Sequence, residues 1–457
     1  MITLILLLIF VGFSFAGEGG YVYLVNLSGS DWKQTHIESN SMNWKFPALL
    51  KNGESELVYV EFKDFLFLSH SQAQVDYELV GTGGKSFQIL ASGKIFKSLA
   101  IYYNNLEVNG KPKGWVCEIG WKHDGDNNVI IIGKNGRYTG TCLDGSNWMK
   151  NNMDVLGSRT LRQISIAGSH DSGMFRLDGG TAFGTDCNVL TQYFNFWMQL
   201  KQGIRYFDIR PVIGNGGKYH TGHYNHIPGS WQGGNGQSIA SIITDLNYFT
   251  KNHNELIIIK LSHSLNTEVG PNSYRKFNQE EWERLFQKLD AINHLYKNDD
   301  RNVHLDQITL GNYTNNGSKS SVVIIVDDPD SNVELGSRWG TGYFMPQNLD
   351  IYDDYSKTNQ WRSMINDQIQ KMHNHSSKQY FILSWTLTQS DSQAALCHVS
   401  FAHEPIKELA KQANNQLGIL LYSQVSASSF PNIILVDGIS STDVATMALA
   451  ISTKIML

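Results

Sequence analysis

The stretch Ile164-Ser165-Ile166-Ala167-Gly168-Ser169-His170-Asp171-Ser172-Gly173 decides how this chain is read. Residues 164–167 form a short apolar run that reads as a strand, and it ends on a His-Asp pair. An imidazole titrating near neutrality can take a proton from a hydroxyl and later return it. A turn capped by Asp171 and Ser172 accounts for the same residues without chemistry, so the surroundings must decide. Downstream, the runs 206–209, 256–261, 322–326, 380–385 and 433–436 read as further strands. Helical patterns lie between them at 238–250, 279–292, 360–372 and 405–416; in the first, Ile239, Ile242, Ile243, Leu246 and Phe249 share one face. Strands alternating with helices are the pattern of a parallel sheet with helical crossovers. Six or more such units over about 300 residues fit an α/β TIM-type barrel, regular or irregular. A doubly wound open sheet competes, but no Gly-rich phosphate fingerprint follows the first strand. In a parallel barrel the C-terminal strand ends form the catalytic face, where His170 then stands.

Three more strand ends carry polar residues. In Gly203-Ile204-Arg205-Tyr206-Phe207-Asp208-Ile209-Arg210-Pro211, alternation puts Asp208 and Arg210 on one side of the strand. An inward Asp and Arg are costly unless they pair with each other or with a ligand, and Arg is the residue suited to bidentate phosphate contact. A structural ion pair is the plainer reading. Lys218-Tyr219-His220-Thr221-Gly222-His223-Tyr224 reads as an extended segment closing in a tight Gly turn with two histidines. In Pro431-Asn432-Ile433-Ile434-Leu435-Val436-Asp437-Gly438 the last strand ends on a carboxylate, which can steer a base or cap a helix over 440–447.

Together, residues 168–172, 203–211 and 221–224 resemble, in order, the X-domain signature of phosphatidylinositol-specific phospholipases C. The resemblance runs from about residue 156 to the end of the chain. It implies a TIM-like barrel and phosphodiester cleavage by attack of the inositol 2-hydroxyl on phosphorus. In that picture His170 is the general base, oriented by Asp437, and Arg210 stabilises charge on the phosphorus oxygens. A second histidine protonates the leaving oxygen. His223, thirteen positions after Arg210, has the family's spacing, with His220 as the alternative. Asp171 and Asp208 match acidic positions around the arginine. Where calcium-using members have an amide after the first histidine and a carboxylate in the second strand, this chain has Asp171 and Arg210, so the resemblance implies the metal-independent bacterial type and no cofactor. Asp353 and Tyr355 resemble the inositol-binding Asp-x-Tyr, although an acidic loop explains them equally. Glu255 and the strand to Ser262-His263 match the next barrel strand. There the family offers the inositol a basic residue, and Ser262 or His263 stands here instead. Asp327 and Asp328 end another strand where a basic residue is frequent, which disfavours phosphorylated inositols.

Upstream, strand-like runs at 21–27, 57–62, 75–80, 87–91 and 129–132 carry no helical period, which predicts an all-β sandwich over 17–148 ahead of a catalytic barrel over 149–457. The first ten residues are almost wholly apolar and the run closes on Ser14-Phe15-Ala16, so residues 1–16 read as a removed signal peptide, despite lacking a basic start. Cys117, Cys142, Cys187 and Cys397 lack zinc spacing and fit an oxidising, extracellular route, with 117–142 and 187–397 as one of three pairings. Sequons at Asn26, Asn312, Asn316 and Asn374 agree with secretion. Trp231, in an expected flexible loop, either packs internally or touches a lipid surface. The net charge of -5 without any Lys/Arg run argues against nucleic acid and strongly anionic membranes as partners. The expected partner is an inositol phospholipid or another phosphodiester, met at transient membrane contact by a monomer. The competing readings are a glycerophosphodiesterase-like enzyme, which would need a metal-binding carboxylate cluster, and a non-catalytic lipid or glycan binder.

Overall fold

The computed structural model describes residues 18–63, 71–93, 96–227, 229–270, 273–397 and 404–456. The expected signal peptide lies outside the described residues. Eight strands form one all-parallel sheet: β1 Ile166–Ser169, β2 Tyr206–Ile209, β3 Leu256–Ser262, β4 Ser321–Asp327, β5 Tyr343–Phe344, β6 Ile351–Asp353, β7 Tyr380–Trp385 and β8 Ile433–Val436. Their spatial order is β5-β4-β3-β2-β1-β8-β7-β6. That is the cyclic order of a TIM-like barrel, opened between the two short strands β5 and β6, neither of which was read from the sequence. β3, β4 and β8 are near-continuous Val/Ile/Leu runs, and β7 is a buried aromatic and aliphatic one, because both faces of a parallel sheet are covered.

The helices Ile239–Asn252, Gln279–Leu289, Trp361–His375 and Ile406–Asn414 match the expected ones to within a few residues, and Asp443–Lys454 closes the chain. The residue before that last helix is Thr442, so Asp437 does not cap it.

The N-terminal half builds two sheets. One has the order Arg137–Gly140, Asp126–Lys134, Glu18–Leu27, Ser55–Phe62, Met42–Trp44; the other runs Leu49–Leu50, Trp32–Asn40, Gln72–Leu79, Ser86–Ser92, Ser98–Tyr103, Trp115–Gly120. The strand Trp32–Asn40 escaped the sequence reading because only Trp32 of its residues is buried. Val22, Leu24, Val60, Phe62, Val75, Tyr77, Val129 and Ile131 meet in one buried cluster between the sheets. The alternate residues Tyr23, Val25, Leu27, Ile130 and Ile132 point the other way, into the core that contains the barrel. The first sheet is therefore apolar on both faces, and its second face joins the core that contains the barrel.

Both expected disulfides are formed, Cys117–Cys142 and Cys187–Cys397. Asn26 is fully buried and its amide donates to the carbonyls of Ser30 and Leu50, so its sequon is closed to modification, whereas Asn312, Asn316 and Asn374 are exposed. No helix among the described residues is long and apolar enough to cross a membrane.

Candidate active site

The polar strand ends converge on the C-terminal rim of the barrel. His170 follows β1, Asp208 lies in β2 with Arg210 just beyond it, Ser262 ends β3, and Asp437 follows β8. The chain continues past β2 and β3 into a small rim sheet of Ser230–Ser238, Lys218–Ile227, Pro211–Gly214 and Leu265–Asn266. Pro211–Gly214 and Lys218–Ile227 are antiparallel, so the chain turns back on itself and the Gly222 N–H donates to the Arg210 carbonyl at 2.9 Å. This hairpin return brings His223 beside Arg210. The Gly222 segment is thus strand rather than a tight turn, and the Trp231 segment is strand rather than a loop. Trp231 is half-buried and packs on Tyr274 and His226, with ring centroids 5.6 and 5.1 Å away. Gly173 lets the first motif lie against this hairpin, since a Cβ there would sit 2.1 Å from Thr221 Oγ1.

Each histidine has its own carboxylate. His170 Nδ1 donates to Asp437 Oδ1 at 2.7 Å, and His223 Nδ1 pairs with Asp171 Oδ2 at 2.7 Å. Arg210 stands between them. Its Nε donates to Asp208 Oδ2 at 3.2 Å, one terminal nitrogen lies 3.6 Å from Asp171 Oδ2, and the other is 2.6 Å from His170 Nε2. That last contact needs a lone pair on Nε2, which the ring offers only when neutral with its proton on Nδ1. Asp171 and Asp437 are almost fully buried, and His170, Arg210 and His223 keep only a narrow exposed edge. Asp171 adopts φ 44°, a left-handed conformation that Asp tolerates better than most residues.

Burial pushes the His170 imidazolium down, yet Asp437 and Asp208 outweigh burial and Arg210 together, so its pKa ends above the ordinary value. Burial alone would raise Asp208; Arg210, with His170 and Lys260, reverses this and holds the carboxyl far below its usual range. Arg210 loses hydration on burial, but Asp171 and Asp208 keep it more firmly protonated than a free guanidinium.

The sequence reading missed two supports. Gln192 donates to the His170 carbonyl at 2.7 Å and accepts from the Ile439 N–H at 3.1 Å, tying the ends of β1 and β8 together. Lys260, aligned with Asp208 in register, bonds to Asp353 at 2.7 Å and Asp327 at 3.0 Å. Period-two alternation in the apolar run 256–262 would have picked it out, because Lys260 and Ser262 share one side. The structure joins Asp353 to Lys260 and to Ser384, not directly to the histidines, while Tyr355 is exposed. Ser262 donates to Asp208 at 2.8 Å. Asp328 is buried and bonded to Ser264 and Lys276. Glu255 lies away from this chemistry, fully buried against Arg205 at 2.9 Å and against the amides of Met149 and Lys150. His220 is buried facing Asp178 at 3.4 Å.

The residues thus form one cluster of two carboxylate-held histidines about one arginine. No family model matches the sequence, and no curated protein matches it. Among solved structures, the chain is similar to a variant of the phosphatidylinositol-specific phospholipase C from Staphylococcus aureus, at 16% identity over 67% of this chain and 96% of that one, with a TM-score of 0.47. It is also similar to the phosphatidylinositol-specific phospholipase C from Listeria monocytogenes, at 15% identity over 67% and 99% of the two chains, with a TM-score of 0.41.

Proposed function

We propose that this chain is a phosphodiesterase of the phosphatidylinositol-specific phospholipase C type, cleaving an inositol phospholipid by internal phosphoryl transfer. The observation that carries the reading is the pair of His–carboxylate units flanking Arg210. Substrate phosphate draws the guanidinium from His170 Nε2, which frees that lone pair. Nε2 then takes the proton of the inositol 2-hydroxyl as its oxygen bonds to phosphorus, and Asp437 stabilises the imidazolium that forms. Arg210 meets the charge growing on the phosphorus oxygens. The bond from phosphorus to the glycerol oxygen breaks, and protonated His223, held by Asp171, donates to that oxygen. The products are a cyclic inositol phosphate and diacylglycerol, and His223 passes to the neutral form while His170 gains the proton.

A metal is not part of this scheme, because the cation between Asp171 and Asp208 is Arg210 itself. We read residues 17–148 as a β-sandwich domain and 149–457 as the catalytic unit, supported by the separate buried cluster of the two N-terminal sheets. Secretion as a monomer, with transient membrane contact, fits the two disulfides and the absence of basic runs.

The test is hydrolysis of phosphatidylinositol vesicles in excess chelator by the parent and by His170→Ala, with products followed by phosphorus NMR. A cyclic phosphate from the parent, lost in the variant, is expected. Activity that disappears with chelator would sink the metal-independent scheme. No cleavage at all would favour a different phosphodiester or a binding role.

A further inference from the structure

The loop that carries Asp437 is held from two sides. It runs from Asp437, just past β8, to Asp443, the first residue of the last helix. On the barrel side the Gly438 N–H donates to the Thr191 carbonyl at 2.7 Å and the Ile439 N–H to Gln192 at 3.1 Å. Its far end faces the N-terminal half, where Lys122 Nζ donates to Asp443 Oδ2 at 2.8 Å. The carbonyl of Asp437 itself accepts from Asn414 Nδ2 at 2.7 Å, and the next two residues are tied to the same N-terminal segment. The Asp126 N–H donates to the Asn415 carbonyl at 3.1 Å, and Gln416 Nε2 donates to the Asp124 carbonyl at 3.4 Å. Two glycines allow this close fit: a Cβ on Gly125 would come within 2.9 Å of the Asn415 side chain, and one on Gly418 within 2.4 Å of Asp126 and Asn128. Residues 122–126 thus grip both chain segments that converge on Asp437. Burial weakens the Lys122 ammonium, but Asp443 and Asp126 more than restore it. Burial likewise opposes the charge of Asp443, and Lys122 brings that carboxyl below its usual range.

We propose that Lys122 is a positioning residue, which through Asp443 sets where Asp437 stands behind His170 and makes the N-terminal half part of the active-site framework. This deepens the phosphodiesterase reading and rests on it. The charges that set the proton affinity of His170 are those of Asp437, Arg210 and Asp208, so Lys122 and Asp443 reach the ring through the position of Asp437. Asp437 supports the imidazolium only from its hydrogen-bonded place at 2.7 Å, and a loop freed at its far end lets it drift from there.

The test compares Lys122→Met and Asp443→Asn with a control, Val75→Ala, which opens a cavity in the buried cluster between the N-terminal sheets. Each is measured for turnover of phosphatidylinositol vesicles against pH, for thermal unfolding, and for the His170 ring titration by nitrogen NMR without substrate. Lys122→Met and Asp443→Asn should each lower kcat by about tenfold, with KM within about twofold of the parent, as displacement of a catalytic group does. Both should also move the His170 pKa, and with it the acid limb of kcat/KM, down toward the ordinary 6.5. The shared direction separates positioning from charge. One variant removes a cation and the other an anion, so a field acting directly on His170 would move the two in opposite senses. Val75→Ala should lower the unfolding temperature and leave both kcat of the folded enzyme and the His170 titration unchanged. An unmoved His170 titration in either variant of the pair, shifts of opposite sign, or the same shift in Val75→Ala would overturn the proposal. Asp443→Asn keeps the shape of the side chain at the helix start, so it decides the matter should Lys122→Met not fold. Should the parent hydrolyse no phosphatidylinositol, the reaction falls while the ring titration still judges the positioning.

Discussion

Replacing Asp437 by Asn removes one negative charge from behind His170, the proposed general base, while leaving the side chain's shape. Asp437 is buried, and its Oδ1 is 2.7 Å from His170 Nδ1. A general base acts from its neutral form, so most of what the carboxylate contributes to the rate appears only when the imidazolium forms in the transition state. Two unit charges about 4 Å apart at an effective dielectric of about 20 interact by about 4 kcal/mol. Lost from the barrier alone, that is about a thousandfold in kcat. An amide oxygen that still accepts from Nδ1 returns part of it, while an amide turned to donate puts the ring in the wrong tautomer and deepens the loss. The acid limb of the rate profile must move as well. Asp437 raises the His170 pKa, so in the parent kcat/KM falls as pH drops through a value above the ordinary 6.5. In Asp437→Asn that limb moves to lower pH, and the plateau above it is lower. The assay is turnover of phosphatidylinositol vesicles from pH 4 to 9, with thermal unfolding to show that the variant is folded. A loss of less than about tenfold, with the acid limb unmoved, would refute the role given to Asp437.

Arg210→Lys keeps a charge but loses the fork that reaches Asp208, Asp171 and His170 together, so kcat should fall by about 10²-fold or more with the fold retained. Arg210→Met leaves Asp171 and Asp208 without their cation and should cost about 3–5 kcal/mol of stability, measured by denaturant unfolding. Asp208, held far below its unfolded value of 3.8, contributes stability that is present above that value and lost as pH falls through the folded one; urea midpoints measured from pH 6 to 2 should drop less in Asp208→Asn than in the parent. Glu255→Gln breaks a fully buried pair with Arg205 away from the histidines, so unfolding should become easier by about 3–5 kcal/mol while kcat of the folded enzyme changes by less than about twofold.

The sequence by itself determined what is local. The barrel strands at 206–209, 380–385 and 433–436 are where their short, aromatic and β-branched runs put them, because a parallel strand is buried on both faces and such runs are too short for a helix. The pairing of Asp208 with Arg210 follows from strand alternation, a two-residue regularity, and His170 from its place at a strand end. Tertiary structure decided what depends on distant segments. Asp437 lies 267 positions from His170, and the parallel β1–β8 pairing alone brings them together. Between His220 and Gly222 the strand register shifts, so alternation fails where the choice of histidine had to be made, and the hairpin return to the Arg210 carbonyl selects His223 as the partner of Asp171. The partners of Lys260, Asp327 and Asp353, come from β4 and β6, so its own strand could not show what holds it. A buried charge is acceptable only when it is paired, and the strand that carries Lys260 does not record that its counter-ions arrive from two others.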